Sequence, residues 1–468
     1  MKVKIGLEIH VQLNTKSKLF CSCSTNSENS KPNKNICPTC MGLPGSKPAL
    51  NKEALKKAMR LALALNCSFP KAIFFSRKSY FYPDMPKNFQ ITQYEIPIGK
   101  NGSYQLKNKK IGIWRVHIEE DPGKLIHKGG TIKTAQNVLI DYNRAGIPLC
   151  EIVTAPDFSS IEEVKEFLSG LISTLEHLRI YDPLNGSIRS DINISIMGGS
   201  RVEVKNVNGI KAVEHAIKYE LSRQKNMVKI GKKIKMETRH FDADMGTTVS
   251  LRTKETEEDY GYIFEPDLTW IDLTKEFISD IKKNMPELPK EREKRFLKQY
   301  KISRSEASVI CMNFRLAELF ERVAKQVDAK LASKWLRTVL IGVLAYKNLS
   351  LRTAHIDEKK LIKALKLLES GEITEKTCKE LIIKLVNGEK FDPANYVVEK
   401  RLKKVADKKE LEKVIKDALK ENKKAVSDYK SGQKEAIHYL AGQVMKKTGG
   451  RAEMRIVMER LKELLNSI

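Results

Sequence analysis

Residues 3–13 alternate strictly between apolar residues and polar or small ones, and this pattern restricts the possible fold most. Side chains of a β-strand point to opposite faces with a period of two, whereas a helix would spread these apolar residues around its axis. The segment therefore predicts a half-buried strand whose other face presents Glu8, His10 and Gln12. Three shorter alternating segments leave a similar polar set on one face: Arg115, His117 and Glu119; Asp191, Asn193 and Ser195; and Glu203 with Lys205.

The polar residues of these strands allow two interpretations. An antiparallel sheet often has one face in solvent, and that face then uses mostly Lys, Glu and Thr. A set of Glu, His, Asp and Asn instead favours a site at which charged groups converge. We therefore expect antiparallel strands with a functional polar face, and an ordinary solvated face is the alternative.

The chain changes character near residue 290. Strand patterns with interspersed helices come before it, and amphipathic helical patterns come after it. Prolines within 285–290 mark the junction, because a helix interior does not tolerate them, and a second break falls at 387–393. We expect an α+β protein with a mixed, mainly antiparallel sheet domain in 1–290, an all-helical domain in 291–395 and a small helical tail domain in 396–468.

The net charge of +27 indicates a polyanionic partner or a general preference for lysine on the surface. Residues 400–447 hold 15 basic and 7 acidic residues, which favours nucleic acid contact in the tail, with a solvated lysine-rich bundle as the alternative. The longest apolar runs, such as 339–346, are far too short to span a membrane. No secretory signal is apparent, so we expect a cytoplasmic protein without membrane contact.

Four of the eight cysteines are clustered as Cys-x-Cys and Cys-x-x-Cys pairs: Cys21, Cys23, Cys37 and Cys40. Two close pairs across a loop can surround one tetrahedral ion, and four thiolates form a closed structural zinc site. Such a site leaves no position open for water, so it would hold a loop in place and not catalyse. Four buried reduced thiols are the alternative.

Carboxylates and one imidazole suggest a second metal site. Glu8 and His10 share a strand face, Glu119 and Glu120 lie in another strand, and Glu151 follows a proline-containing loop. Mg²⁺ needs only one or two carboxylates together with water and substrate phosphate. These residues therefore predict a magnesium site if the fold brings them together.

Residues 74–93 combine aromatic rings, cations and prolines in a way that is not typical of an ordinary strand. Lys78 and Lys87 can neutralise phosphate, aromatic rings can stack on bases, and Pro83 and Pro86 stiffen the backbone. The segment predicts a stiff loop that binds a nucleotide, a nucleic acid or both. The sequence contains no Gly-x-Gly and no Gly-Lys-Ser/Thr, so any ATP must be held without a dinucleotide fingerprint or a P-loop.

Several motifs in order along the chain resemble the B subunit of the tRNA-dependent amidotransferases, the GatB family. They are Ile-Gly-Leu-Glu-Ile-His-Val-Gln-Leu at 5–13, Tyr-Pro-Asp-Met-Pro-Lys at 82–87, His-Ile-Glu-Glu-Asp-Pro-Gly-Lys at 117–124, Asp-Tyr-Asn-Arg-Ala-Gly-Ile-Pro-Leu-Cys-Glu-Ile-Val at 141–153, Arg-Ser-Asp-Ile-Asn-Ile-Ser at 189–195 and Glu-Val-Lys-Asn at 203–206. Tyr-Lys-Ser-Gly at 429–432 and Gly-Gln-Val-Met-Lys at 442–446 resemble the small helical C-terminal domain of the family. Gly261 and Phe264 depart from an arginine and a proline that are common in the family.

The resemblance implies an activity and partners. Residues 1–290 would be a catalytic cradle with a zinc knuckle at 21–40. This cradle would use ATP to phosphorylate the side-chain carboxylate of Glu-tRNA(Gln) or Asp-tRNA(Asn), after which ammonia displaces the phosphate. No glutaminase nucleophile arrangement is present, so an amidase A subunit and a small C subunit are implied. The tail would grip the misacylated tRNA.

The resemblance also assigns residues to roles. Those expected to bind Mg²⁺ and to take part in catalysis are Glu8, His10, Glu119, Glu120 and Glu151, with Asp191 as a further catalytic residue. The residues expected to contact ATP are Lys78, Lys87, Lys205, Arg189 and Asn193. Strand parity favours Glu119 over Glu120 as the ligand that points inward.

Two other functions fit part of the sequence. The related glutamine-specific E subunit has an additional synthetase-like insertion in its helical half, for which 468 residues leave no room. A non-catalytic zinc protein that binds RNA would explain the cysteines and the basic tail. It would not use the converging carboxylates.

Overall fold

A computed structural model describes residues 2–27, 30–129, 135–184, 186–196, 199–253, 260–404 and 408–467. The chain folds into two compact units, Met1–Pro289 and Lys290–Ile468. All strands of the described ranges lie in the first unit and the second is helical, so the predicted α+β class is confirmed. The three domains 1–290, 291–395 and 396–468 remain a prediction.

The strands of the first unit are β1 Val3–Gln12, β2 Ala72–Ile73, β3 Ser76–Ser79, β4 Phe89–Thr92, β5 Gly99–Gln105, β6 Lys110–Glu120, β7 Lys124–Lys128, β8 Asn137–Asp141, β9 Pro148–Thr154, β10 Ile188–Ile196, β11 Val202–Asn208, β12 Glu237–Asp242, β13 Thr247–Thr253, β14 Ile263–Phe264 and β15 Ile271–Asp272. Its helices are α1 Pro38–Met41, α2 Lys52–Ala64, α3 Ile161–His177, α4 Ile210–Lys229 and α5 Lys275–Lys283. The helices of the second unit are α6 Pro289–Tyr300, α7 Arg304–Cys311, α8 Phe314–Val323, α9 Ala329–Lys334, α10 Ile341–Tyr346, α11 Glu358–Glu369, α12 Glu375–Val386, α13 Pro393–Glu399, α14 Lys408–Glu421, α15 Lys423–Lys430, α16 Ala436–Lys447 and α17 Met454–Ser467, with a π-helical segment at Trp335–Leu340.

Eight strands form the central sheet in the order β13-β12-β11-β10-β1-β9-β6-β5. Neighbouring strands are antiparallel except β11 and β12, which are parallel, so the sheet is mixed and mainly antiparallel as predicted. In this register Glu8 of β1 lies opposite Asp191 of β10, and His10 lies opposite Glu151 of β9. Residues far apart in the sequence thus become direct neighbours on the polar face.

One face of the sheet forms the core of the first unit. Ile5, Leu7, Ile9 and Val11 of β1 are almost fully buried in one hydrophobic cluster with residues of α2, α3 and α4. Burial of each such side chain contributes about 1.5–3 kcal/mol, which fixes the strand register. A shift by one residue would turn Glu8 and the other polar side chains into this core.

The second unit contains two hydrophobic clusters among its described residues. One extends from Phe296 to Val397 and the other from Leu411 to Leu465, where it joins α14, α16 and α17. In the described ranges of the whole chain, no helix is both long and apolar enough to cross a membrane.

Residues 74–93 form a β-hairpin with flanking residues, and not one stiff loop as predicted. Strand β3 pairs with β4 on one side and with β14 on the other, so the connecting loop is shorter than expected. Arg77 in β3 makes two hydrogen bonds to Glu265, of 2.7 and 2.8 Å, which occupy its guanidinium group. Lys78 lies on the other face of β3, with its ammonium 4.5 Å from the ring centre of Tyr260.

Candidate functional site

The polar face of the central strands forms the floor of a cavity of about 120 Å³. Strands β1, β6, β9, β10 and β11 supply the charged residues of the floor, and the β3–β4 hairpin supplies part of the wall. The residues that line it are Glu8, His10, Lys78, Thr92, Gln93, Tyr94, Arg115, His117, Glu119, Glu151, Asp191, Lys205 and Tyr262. The strand alternation therefore gathers most of the predicted site residues into one place.

Two histidines and two glutamates form the first charged group of the cavity. Nε2 of His10 lies 3.4 Å from Glu151 and 3.6 Å from Glu119. Nε2 of His117 lies 3.2 Å from Glu151 and 3.8 Å from Glu119. The ligand atoms of His10, Glu119 and Glu151 all lie within 4.8 Å of one another, a separation that one metal ion can bridge.

These four residues stabilise one another's charges. Burial lowers the pKa of His10, but its hydrogen bond to Glu151 and the nearby carboxylate charges raise that pKa to about 9. Burial raises the pKa of Glu151, but the charge of His117 and the bond to His10 hold it well below its usual range. Burial also raises the pKa of Glu119, but the hydrogen bond with His117 and the charges of both histidines together lower it. The two carboxylates are therefore ionised, and His10 is protonated near neutral pH and balances part of their charge.

Three carboxylates form the second charged group. Ligand oxygens of Glu8, Asp191 and Glu203 lie within 4.8 Å of one another. Burial and the charges of neighbouring carboxylates raise the pKa of Glu8, which shows that this group holds excess negative charge. Lys205 offsets part of it, with its ammonium 3.4 Å from Asp191 and 3.5 Å from Glu203.

The donor chemistry of the two groups differs. Mg²⁺ prefers oxygen ligands, which the group of Glu8, Asp191 and Glu203 supplies, whereas an imidazole-rich group also suits softer divalent ions. The three carboxylates carry more negative charge than the ammonium of Lys205 offsets, and a hard cation bound to their oxygens would balance the remainder. Glu8 and His10, which were predicted to bind one ion, lie in different groups, and Glu203 carried no predicted role.

Two cations besides Lys205 line the cavity. Lys78 approaches from the hairpin, and Arg115 approaches from β6. Nε of Arg115 is buried and has no hydrogen-bond partner in the part of the chain that the structure describes. A buried donor without an acceptor is costly, so Arg115 is suited to an anionic ligand.

Arg115 and His117 carried no predicted role, although both share the polar face of β6 with Glu119. That strand parity was the signal that could have identified them. Tyr262, which stacks on Tyr94 with ring centres 4.0 Å apart, had no comparable signal, because it comes from a distant loop.

The structure places Glu120 and Lys87 outside the cavity, contrary to their predicted roles as a magnesium ligand and a phosphate contact. Lys87 donates to both carboxylate oxygens of Glu120 at 2.6 Å, and both side chains are buried. Glu120 also accepts the backbone N–H of Ile91 at 3.0 Å. Successive residues of β6 point to opposite faces, so Glu119 faces the cavity and Glu120 faces away.

Two other predicted residues lie at the margin of the cavity. Arg189 donates to Asp121 at 2.6 Å and therefore is engaged in an ion pair. Asn193 donates to Glu8 at 3.0 Å and orients this carboxylate from the neighbouring strand. Both support the polar face without lining the cavity themselves.

We expect Glu120→Gln to destabilise the protein without harming the activity of the molecules that fold. Removal of one partner of a buried ion pair leaves the other charge uncompensated and costs about 3–5 kcal/mol. Chemical denaturation of the variant measures this loss, and activity per folded molecule is the second readout. A normal unfolding free energy together with lost activity would contradict the structural role.

The four clustered cysteines converge as their spacing predicts. Their sulfur atoms all lie within 4.8 Å of one another, which fits a tetrahedral thiolate site. The hydrogen bond from Cys21 lowers the pKa of Cys40 to about 5 against the opposing effect of burial. The fully buried Lys18 places its ammonium 3.7 Å from the Cys40 sulfur, where it favours the thiolate form of Cys40.

Comparison with known proteins identifies the class of this fold and site. The family described as GatB/GatE catalytic domain matches residues 3–279, and the family described as GatB domain matches residues 318–465. The first covers the sheet and its charged cavity, and the second covers much of the helical unit.

Full-length relatives define the family further. The B subunit of the aspartyl/glutamyl-tRNA(Asn/Gln) amidotransferase of Methanosarcina barkeri is 42% identical over 98% of this chain and 97% of its own length. The B subunit of the amidotransferase of the same name from Saccharolobus solfataricus is 44% identical over 99% of both chains. The chain belongs to the family of these B subunits, which confirms the resemblance seen in its motifs.

Proposed function

We propose that this protein uses ATP to activate the side-chain carboxylate of glutamate or aspartate esterified to tRNA(Gln) or tRNA(Asn), and that ammonia then converts it to the amide. The observation that supports this most is the meeting of two carboxylate-rich groups and three cations in one cavity. The relatives are named as subunits of an amidotransferase that acts on these tRNAs. A non-catalytic RNA-binding zinc protein would have no use for such a cavity.

The chemistry explains why both types of charge are needed. Oxide is a very poor leaving group, so ammonia cannot displace it from a carboxylate. A carboxylate oxygen therefore attacks the γ-phosphorus of ATP, and ADP leaves with the electrons of the broken P–O bond. Ammonia then attacks the carbonyl carbon of the acyl phosphate, loses a proton and expels phosphate.

The residues that line the cavity, together with Glu203 beside it, suit the first step. Glu8, Asp191 and Glu203 would hold Mg²⁺, which supplies neutralisation of the phosphate charge when it is bound. Lys205, Lys78 and Arg115 would contact phosphate oxygens and hold the two reactants in line. The protein would thus catalyse the step mostly by positioning the reactants and neutralising charge, as in other phosphoryl transfers.

The second group completes the proposed site. His10, Glu119 and Glu151 would offer a second place for a divalent ion beside the oxygen group, where the ion would displace the proton of His10. The chain would receive ammonia from an amidase A subunit and act in a complex with a small C subunit. We also propose a cytoplasmic location, because charged tRNA is formed and used there.

We predict that lysines of the tail contribute to tRNA affinity. A cavity of about 770 Å³ near α15 and α16 is lined by Lys423, Lys424 and Lys434, which are all exposed. Their joint replacement with alanine should weaken tRNA binding roughly tenfold or more. The plot of log K for tRNA binding against log salt concentration should become less steep, with a slope smaller in magnitude by about 2–3. Filter binding across a salt series measures both.

A matched control replaces three exposed lysines of α5: Lys275, Lys282 and Lys283. We expect this variant to retain the tRNA affinity and the salt slope. Equal behaviour of the two triple variants would favour a tail whose lysines are only solvated.

ATP hydrolysis by the complete amidotransferase complex tests the proposed function. With Mg²⁺ present, phosphate release should require a charged tRNA, and the comparison of Glu-tRNA(Gln) with Asp-tRNA(Asn) shows which amino acid is activated. The same tRNAs without an amino acid are the control. Phosphate release that is equal with charged and uncharged tRNA would contradict the proposal.

A further inference from the structure

A second hollow of about 190 Å³ lies on the same face of the central sheet, directly beside the charged cavity. Gly6 contributes to its floor, and Glu8 lines both the hollow and the cavity. A Cβ at this position would be in ordinary van der Waals contact with Pro156, whose nearest atom lies 3.5 Å away, so Pro156 borders the hollow above Gly6. The hollow and the charged cavity are therefore neighbours that share the side chain of Glu8.

Trp114 lines the hollow and is 55% exposed. The pairing of β6 with β9 shifts register between Ile113 and Arg115, so Trp114 lies in a bulge. Bulges redirect side chains, and here the consecutive residues Trp114 and Arg115 line adjacent parts of one binding face. An exposed indole at this position offers a flat surface on which a base can stack.

A polar acceptor faces the same hollow. Asn193 of β10 lies opposite Gly6, and its amide nitrogen donates to Glu8 at 3.0 Å. Its Oδ1 is buried and accepts no hydrogen bond from any residue in the described ranges. This oxygen requires a donor, such as an amino or hydroxyl group of a ligand.

Positive charge lies among the lining residues of the hollow. Lys4 and Arg201 contribute to it, and both are suited to phosphate. The hollow thus combines a stacking surface, one unsatisfied acceptor and two cations. These features match a purine nucleotide better than a peptide or an amino acid.

We propose that this hollow is an adenosine subsite in which the base stacks on Trp114 and an amino or hydroxyl group donates to Asn193. The proposal rests on the proposed function, because both reactants contain an adenosine. ATP would extend its phosphates toward the charged cavity, or the terminal adenosine of the tRNA would extend its aminoacyl group. The shared chemistry is that of adenosine, and the experiment distinguishes the two sources.

Binding of 5′-AMP and of the trinucleotide CCA to the full chain, measured by calorimetry, tests the subsite without any turnover. Trp114→Ala should weaken binding of at least one probe by roughly 5- to 150-fold, the range expected for loss of one stacked base. Trp114→Phe should recover most of the affinity. Trp270→Ala is the matched control, because Trp270 is also 55% exposed but packs on Phe74 elsewhere in the first unit.

Steady-state kinetics of the complete complex then show whether the bound adenosine is that of ATP or that of the tRNA terminus. A higher KM for ATP in Trp114→Ala identifies the adenosine of ATP, and a higher KM for charged tRNA identifies the terminal adenosine. Unchanged affinity of Trp114→Ala for both probes, or no saturable binding of either probe to the unmodified protein, would overturn the subsite. The calorimetric binding of 5′-AMP and CCA does not depend on formation of an acyl phosphate. Its result can therefore be told apart from success or failure of the proposed function.

Discussion

Glu8→Gln should reduce ATP-dependent activation of charged tRNA by about 10²–10³-fold and leave tRNA affinity unchanged. Glu8 is the residue that links the oxygen group of the cavity to Asn193 and to the neighbouring hollow. Loss of its charge weakens the site for a hard cation and misplaces the phosphates, and removal of one such electrostatic contact typically costs this much in rate. Single-turnover phosphate release and tRNA binding measure the two quantities.

The same variant should keep or raise the stability of the protein. The raised pKa of Glu8 shows that burial and neighbouring carboxylates already disfavour its charge. Neutral glutamine has the same shape and still accepts a hydrogen bond from Asn193. A protein with such unfavourable charge in its active site commonly becomes more stable when the charge is removed, and loses function.

Glu120→Gln provides the matched control for Glu8→Gln. It makes the same substitution at another buried glutamate, yet its carboxylate pairs with Lys87 outside the cavity. Its stability should fall while the activity of the folded molecules is retained. If Glu8→Gln keeps full turnover, or loses turnover only in proportion to the folded fraction, the assignment of Glu8 to the catalytic site is wrong.

The second large effect concerns the four cysteines. We expect one zinc ion per chain, and its removal by a chelator should lower the melting temperature of the protein. At free zinc about 100 times the Kd, the bound ion contributes about 2.7 kcal/mol, or a shift of roughly 5–10 °C. Differential scanning calorimetry with and without chelator measures the shift, and elemental analysis measures the zinc.

Variants test the assignment of the ligands. Cys40→Ser should lose the zinc and most of the chelator-dependent shift, because thiolate ligands hold a structural zinc site closed. Cys378→Ala is the control, since this buried cysteine lies in the helical unit. Full zinc content in Cys40→Ser, or no response of the unmodified protein to chelator, would favour four reduced thiols.

The sequence predicted the site best where strand periodicity determines the geometry. Alternation in 3–13 placed Glu8 and His10 on one face, and the same rule favoured Glu119 over Glu120. Register could not be deduced from one strand alone. The contacts of His10 with Glu151 depend on the pairing of β1 with β9, which long-range packing determines.

Other features lay beyond sequence reasoning. The pairing of Lys87 with Glu120 depends on how the hairpin packs on β6, and neither a motif nor a period reports this. The bulge at Trp114 breaks the period of two, so parity alone would have placed Trp114 on the opposite face from Arg115. Glu203 was seen on a polar strand face, but only the assembled sheet shows that it joins Glu8 and Asp191.

The most direct test of the proposed reaction is to trap the activated carboxylate with hydroxylamine in the complete complex, in the absence of any ammonia source. We expect a side-chain hydroxamate on the amino acid of the charged tRNA, formed only with ATP and Mg²⁺ and lost in Glu8→Gln. Hydroxamate that forms without ATP would contradict activation by phosphoryl transfer. So would its absence in a complex that still makes the amide when ammonia is added.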